Sequence, residues 1–165
     1  MYGDQHPLVP QDPLLKARVR EVADMVTSGI QPLQSIGILR HVKVADVRGG
    51  SGDGNAYARW KTEEGLDALE RLIGQMRTSA SNVDQSQGQS QSSTVSSTLF
   101  AVGTSYPTLA DLCLIPQLYN ARYRLHIPVN DLTYPHLTAV ERLCESLHFF
   151  KQAEPQNQPD AVDVL

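Results

Sequence analysis

Aromatic residues and cysteines are both scarce in this sequence. Aromatic residues make up 6% of the 165 positions, and Trp60 is the only tryptophan. Because sheet sandwiches draw on β-branched and aromatic side chains, this composition favours a helical core of Leu, Ala and Val. The two cysteines, Cys113 and Cys144, follow no secretory leader, so we expect buried thiols rather than a disulfide.

Long apolar runs and an excess of basic charge are also missing. No run approaches the roughly 18 apolar residues that a membrane-spanning helix needs. Lys and Arg number 14 against 18 Asp and Glu, a formal net charge of −4, whereas nucleic-acid binding relies on cationic patches. The five histidines show no metal-binding spacing. We expect a cytoplasmic domain with no nucleic-acid, membrane or metal partner.

One polar segment interrupts an otherwise helical pattern. From residue 79 to residue 98, 12 of 20 residues are Ser or Gln. Such a stretch buries too little apolar surface to offset the cost of ordering its backbone, about 1–2 kcal/mol per residue. We predict a disordered insertion at 79–98 within a helical domain at 11–152, with tails at 1–10 and 153–165.

The first helix has a clear start and an expected kink. Asp12 is an N-cap residue followed by Pro13 at the first helical position. Pro32 lacks a backbone donor, which predicts a kink near Gly29. One face of this helix carries apolar residues at helical spacing, namely Leu15, Val19, Val22, Val26 and Ile30.

Three further helices follow from the same period. They are predicted at about 56–76, from Thr108 onward, and at 135–150. Gly65 lies inside the first of these and predicts a close helix approach, since a mid-helix glycine is otherwise unfavourable. Glycines within 41–55 indicate a loop. The sequence therefore predicts an all-α bundle.

Thr108 and Asp111 have the spacing of a capping box. The Thr108 side chain can accept from the N–H of Asp111, and the Asp111 carboxylate can return a bond to the N–H of Thr108. The helix start at this point favours the structural role over a catalytic acid. We therefore interpret Asp111 as a residue that stabilises the fold.

Several blocks of sequence resemble one enzyme family. Pro107-Thr108-Leu109-Ala110-Asp111 resembles the capping motif of the C-terminal domain of glutathione transferases. The blocks SGIQPLQ at 28–34, GLDALE at 65–70, ADLCLIPQLYNA at 110–121 and DLTYP at 131–135 resemble the zeta class, the maleylacetoacetate isomerases. The resemblance implies a glutathione transferase C-terminal-like helical bundle without the N-terminal thioredoxin-like domain.

The resemblance also implies a glutathione-dependent reaction. In this family glutathione thiolate adds to the double bond of maleylacetoacetate, the bond rotates, and the thiolate leaves to give fumarylacetoacetate in phenylalanine and tyrosine catabolism. Implied partners are glutathione, a small dicarboxylic diketo acid and a second copy of the chain. No thiol-activating motif precedes Asp12, so we expect the isolated chain to be inactive. Two alternatives stay open: a noncatalytic helical protein-interaction module, and an incomplete gene model.

Four positions match residues that approach glutathione in the family. Gln31 matches a glutamine that contacts glutathione, and Ser35, Ile36 and Gly37 match three neighbouring contact positions. Gly37 lacks the hydroxyl that family members commonly carry there. The structural alternative for Gln31 is a polar residue that satisfies the backbone opened by Pro32.

The resemblance further implies an arginine that faces the substrate carboxylates. In the family this arginine follows an Asn-Ala pair, and here Tyr123 lies in direct register between Arg122 and Arg124. A planar guanidinium suits bidentate carboxylate binding. The choice between Arg122 and Arg124 stays open, as does the alternative of a solvated arginine at a helix end.

Overall fold

The computed structural model describes residues 7–40, 54–85 and 98–161, with side chains described except at 81–85. Within these ranges the chain is helical and contains no strand, which confirms the predicted all-α class. The α-helices are α1 (Pro13–Asp24), α2 (Ile36–Leu39), α3 (Gly54–Gln85), α4 (Leu109–Tyr123), α5 (Pro135–Glu145) and α6 (His148–Ala153).

Helix α1 begins where its capping signal predicts. The Asp12 carboxylate accepts a hydrogen bond from the N–H of Leu15 at 2.8 Å, and Pro13 occupies the first helical position. Proline is favoured there because its missing N–H has no intrahelical partner to lose.

The predicted kink near Gly29 is a change of helical pitch. After α1 the chain widens into a π-helical segment, Met25–Ile30, and then tightens into a 3₁₀ turn, Gln31–Gln34. Pro32 donates no N–H, so the regular α-helical ladder cannot continue through this point. The segment from 25 to 34 therefore carries its side chains in directions that a continuous helix would not provide.

Helix α3 extends beyond its predicted end and into the segment expected to be disordered. It continues to Gln85, so the prediction of disorder is wrong for residues 79–85. The Ser79 hydroxyl donates to the Gln75 carbonyl at 2.8 Å, which shows how the helix accommodates polar side chains without burying apolar surface. Residues 86–97 of the predicted insertion, and 41–53 of the predicted loop, lie outside the described residues.

The predicted helix at 135–150 is two helices. Helix α5 ends at Glu145, and Leu147 has an extended backbone (φ −90°, ψ 129°) before α6 begins. The N–H of Leu147 donates to the Cys144 carbonyl at 2.9 Å, which closes a turn at the break. Because Phe150 is buried beyond that turn, the apolar period runs across the break and the sequence pattern conceals it.

Parts of both predicted tails are folded against the helices. The Leu8 carbonyl accepts from the N–H of Leu109 at 2.9 Å, which satisfies one of the N–H groups that a helix start leaves without a partner. Pro10 is buried, and Pro155–Asn157 forms a 3₁₀ turn. The predicted boundaries at residues 10 and 153 therefore assign to the tails some residues that belong to the folded unit.

The core lies among α1, α3, α4 and α5. A Cβ atom on Gly65 of α3 would lie 2.5 Å from Ile30 Cδ1, so the predicted close approach at Gly65 is present. The fully buried apolar side chains include Val19, Val22, Leu66, Leu69, Ile73, Leu114, Leu118, Leu137 and Val140. Among the helices described, none combines the length and the apolar character that crossing a bilayer requires.

Candidate functional site

A cavity of about 740 Å³ lies between the broken helical segment after α1 and one face of α4. The α4 residues at the cavity recur at helical spacing, which places them on one face of that helix. They are Leu112, Cys113, Pro116, Gln117 and Asn120, and Arg124 follows as the C-cap residue of the helix. The cavity thus forms where the change of pitch near Gly29 exposes polar groups opposite a long, capped helix.

Three of the four residues matched to glutathione contacts line this cavity. Gln31, Ser35 and Ile36 are among its lining residues, and all three are exposed. Gly37 lies one residue further along, on α2, and is not in the lining. A Cβ atom at Gly37 would meet only the Ser35 hydroxyl oxygen, at 3.7 Å, so the backbone there has room for a side chain.

The two candidate arginines have different surroundings. Arg124 lines the cavity, and its Nη2 donates to the backbone carbonyl of Gln34 at 3.3 Å. Arg122 lies outside the lining, and its Nη1 and Nη2 donate to the two carboxylate oxygens of Glu141 at 2.7 and 2.6 Å. This bidentate bond raises the pKa of Arg122 above its ordinary value. Arg122 therefore ties α4 to α5, whereas Arg124 is available to the cavity.

Gln34 joins the two walls of the cavity, a role that sequence reasoning missed. Its side chain is buried at 3% exposure, and its Nε2 donates to the Thr62 hydroxyl of α3 at 2.8 Å. Its Oε1 accepts from the Asn120 amide of α4. The signal in the sequence was a polar residue beside the apolar Ile30 and Leu33, within the SGIQPLQ block.

Cys113 is half-buried at the cavity, in contrast to the fully buried Cys144. Burial, and then the negative charge of Asp24, raise the pKa of the Cys113 thiol. A raised pKa keeps the thiol protonated near neutral pH, and the protonated form is a poor nucleophile. Cys113 is therefore suited to contacting a ligand and not to attacking one.

The capping residues stand at the start of the helix that forms one wall of the cavity. Thr108 and Asp111 form a capping box. The Asp111 carboxylate accepts from the N–H of Thr108 at 2.7 Å, from its hydroxyl at 2.9 Å, and from the N–H of Ala101 at 2.9 Å. Burial raises the pKa of Asp111, and these bonds oppose that shift. Neither residue lines the cavity.

Arg77 is a second buried ionic group near Asp111. Its side chain is 1% exposed. Burial lowers the pKa of its guanidinium, while the charges of Asp111 and Glu70 oppose the shift. The Asp111 carboxylate at the start of α4 thus lies within electrostatic range of a buried guanidinium. Across the described part of the chain, no cluster of metal-binding side chains occurs.

The fold and the cavity define a class of protein, the helical domain of glutathione transferases. The chain is 33% identical to maleylacetoacetate isomerase from Anaeromyxobacter dehalogenans, solved with dicarboxyethyl glutathione and citrate in its active site. That comparison has a TM-score of 0.71 and covers 97% of this chain and 60% of the other. Maleylpyruvate isomerase from Pseudomonas aeruginosa is 30% identical with a TM-score of 0.69, covering 96% of this chain and 70% of the other.

Curated sequences agree with the solved structures. A probable maleylacetoacetate isomerase of Drosophila melanogaster is 34% identical over 161 residues, which span 98% of this chain and 57% of that protein. The chain thus spans a little over half the length of this relative. No protein-family model matches the sequence. The chain belongs to the maleylacetoacetate isomerase family, the zeta class of glutathione transferases, and it corresponds to the helical C-terminal portion of its relatives.

Proposed function

We propose that this chain supplies the ligand-positioning helical part of a glutathione-dependent isomerase that acts on maleylacetoacetate. The observation that carries the proposal is the cavity that places Gln31 and Ser35 opposite Arg124. An amide and a hydroxyl suit the peptide groups of glutathione, and a guanidinium suits a substrate carboxylate. Arg122 is excluded from this role because Glu141 engages both of its terminal nitrogens.

The reaction requires a thiolate, a rotating bond and stabilisation of negative charge. The glutathione sulfur forms a bond to one alkene carbon, and the electron pair of the double bond moves onto the adjacent carbonyl as an enolate. Rotation about the resulting single bond, followed by loss of the thiolate, restores the alkene in the trans form. Arg124 would hold the carboxylate end of the substrate while the bond rotates.

Among the described residues that line the cavity, none is suited to activate the thiol of glutathione. The lining of the cavity includes no Asp, Glu or His within the described ranges, and the Cys113 thiol is itself protonated near neutral pH. Glutathione alone is mostly protonated there as well, since a free thiol has a pKa of about 8.5. We therefore expect this helical part to position ligands and a thioredoxin-like domain of the zeta class to activate the thiol.

An in-frame fusion to a zeta-class thioredoxin-like domain tests the proposal. We expect the fusion to isomerise maleylacetoacetate and the 165-residue chain alone to show no turnover above the glutathione background. Gln31→Ala in the fusion should raise the Kd for glutathione, and Arg124→Ala should raise the KM for maleylacetoacetate. Arg20→Ala, an exposed arginine on α1 away from the cavity, is the control. An inactive fusion would contradict the proposal. Equal KM values for maleylacetoacetate in the Arg124→Ala and Arg20→Ala fusions would contradict it as well.

We further propose that the chain forms a homodimer and acts in the cytoplasm. Several large apolar side chains are exposed, including Leu14 at 60% on α1 and Tyr123 at 60% on α4, and exposed apolar surface favours association. Light scattering across a wide concentration range tests the dimer. A monomer at every concentration, without binding of a hydrophobic dye, would contradict it.

A further inference from the structure

Arg122 is held from two directions at the end of α4. Its Nη1 and Nη2 donate to the two carboxylate oxygens of Glu141 on α5, at 2.7 and 2.6 Å. Nη2 also donates to the backbone carbonyl of Val129 at 3.2 Å, in the chain that returns from α4 to α5. The Glu141 side chain is buried. Because both of its oxygens bind one planar guanidinium, the pair has a single well-defined geometry.

Arg124 lies two residues beyond Arg122, at the point where α4 ends. It is the C-cap residue of the helix, and its N–H donates to the Asn120 carbonyl at 3.0 Å. Two positions later the backbone of His126 is left-handed (φ 52°), so the helix cannot continue through that residue. The terminal turns of a helix open more readily than its interior. The direction of the Arg124 side chain therefore depends on what holds the last turn of α4.

The bonds of Arg122 hold that last turn on the side away from the cavity. Residues two apart on a helix are separated by about 200°, so the Arg122 and Arg124 side chains leave α4 on nearly opposite sides. A turn that is fixed to α5 on one side cannot rotate without moving the other side. The bond from Arg124 to the Gln34 carbonyl, at 3.3 Å, is longer than the usual range of about 2.7–3.2 Å and holds the turn less firmly.

We propose that Glu141 is a positioning residue, which sets the direction of the Arg124 guanidinium by holding Arg122. This inference rests on the proposed function of the cavity and adds a residue that acts without touching the substrate. Glu145, one helical turn further along α5, offers the contrast. Its charge also acts on Arg122, but among the described residues the carboxylate that hydrogen-bonds to this guanidinium is that of Glu141.

Kinetics on the in-frame fusion to a zeta-class thioredoxin-like domain test the inference. Glu141→Gln keeps the size of the side chain and removes its charge and one acceptor. We expect the KM for maleylacetoacetate to rise about tenfold, the effect of weakening one hydrogen bond to a charged group, with kcat and the Kd for glutathione unchanged. The matched control, Glu145→Gln, should leave all three constants at the parent values. In an Arg124→Ala background, Glu141→Gln should have no further effect on KM.

Hydrogen exchange on the 165-residue chain gives a readout that does not depend on catalysis. In Glu141→Gln the N–H of Arg124 should exchange about tenfold faster than in the parent, because the last turn of α4 opens more often. The amides at 69–73, inside α3, should accelerate by a smaller factor, since they report opening of the core. Glu145→Gln should match the parent in both regions.

Each result decides the matter. An unchanged KM, a rise in KM that persists in full in the Arg124→Ala background, or equal acceleration of exchange in α3 and α4 would overturn the positioning role alone. If Glu141→Gln fails to fold, Glu141→Asp, which keeps the charge but draws it back by one methylene, takes its place under the same criteria. An inactive parent fusion would overturn the proposed function, and hydrogen exchange would then decide by itself whether Glu141 holds the last turn of α4.

Discussion

The Nη2 atom of Arg124 donates a hydrogen bond to the backbone carbonyl of Gln34 at 3.3 Å, across 90 residues of sequence. This bond sets the cationic group at the end of α4 against the segment that carries Gln31 and Ser35. The Gln34 side chain links the same two walls a second time, because its Oε1 accepts a hydrogen bond from the Asn120 amide. The geometry of the cavity thus depends on a residue whose own side chain is buried.

Replacing Gln34 by leucine should lower the free energy of unfolding by about 1–3 kcal/mol, because the buried Thr62 hydroxyl and the Asn120 amide lose this partner. Urea unfolding followed by circular dichroism measures the loss. Ser35→Ala is the neighbouring control, an exposed position where we expect a change within about 0.5 kcal/mol. Equal losses in the two variants would refute the role given to Gln34.

Alanine at Gly65 should destabilise the fold by about 1–3 kcal/mol, although alanine favours helices by about 1 kcal/mol over glycine. The added Cβ would press on the side chain of Ile30, which is 2% exposed and has little room to move. Gly29→Ala is the matched control, since a Cβ there meets nothing within 4 Å. Thermal unfolding compares the two, and a stabilised Gly65→Ala variant would contradict the close approach.

Removal of the Asp111 carboxylate should lower the free energy of unfolding more than removal of an exposed N-cap side chain does. Asp12→Ala removes a single exposed hydrogen bond and should lower stability by about 0.5–2 kcal/mol. Asp111→Ala leaves three donors without their acceptor and removes a negative charge near the buried Arg77. We therefore expect a loss of at least about 2 kcal/mol. Differential scanning calorimetry measures both, and similar losses would argue against the buried ionic network.

Alkylation by iodoacetamide should distinguish the two thiols. Burial raises the pKa of Cys113, so less thiolate is present at pH 8 than for a free cysteine, and the rate should reach its midpoint above pH 8.5, about the free value. Cys144 is fully buried and should react only on unfolding. Mass spectrometry of timed samples reports both sites, and faster labelling of Cys144 would contradict the structure.

Local signals in the sequence predicted much of the helical framework. The Asp12-Pro13 start of α1 and the break near Gly29 depend on residues within a few positions of each other, where hydrogen-bond donors and backbone angles decide the outcome. The end of α3 and the break before Leu147 were missed. Beyond Met76 the Ser79 hydroxyl donates to the Gln75 carbonyl within the helix, and before α6 the N–H of Leu147 donates to the Cys144 carbonyl. The apolar period reports neither bond.

The sequence by itself determined the all-helical class, the family resemblance and the set of polar residues from which a site is built. Only the tertiary structure decided which of them meet. Arg122 and Arg124 are two residues apart, which is about 200° around a helix, so they point to nearly opposite sides. The packing of α4 turns one toward Glu141 and the other toward Gln34. The same packing leaves the amide of Gln117 buried at the cavity without a partner, because burial depends on elements far apart in the chain.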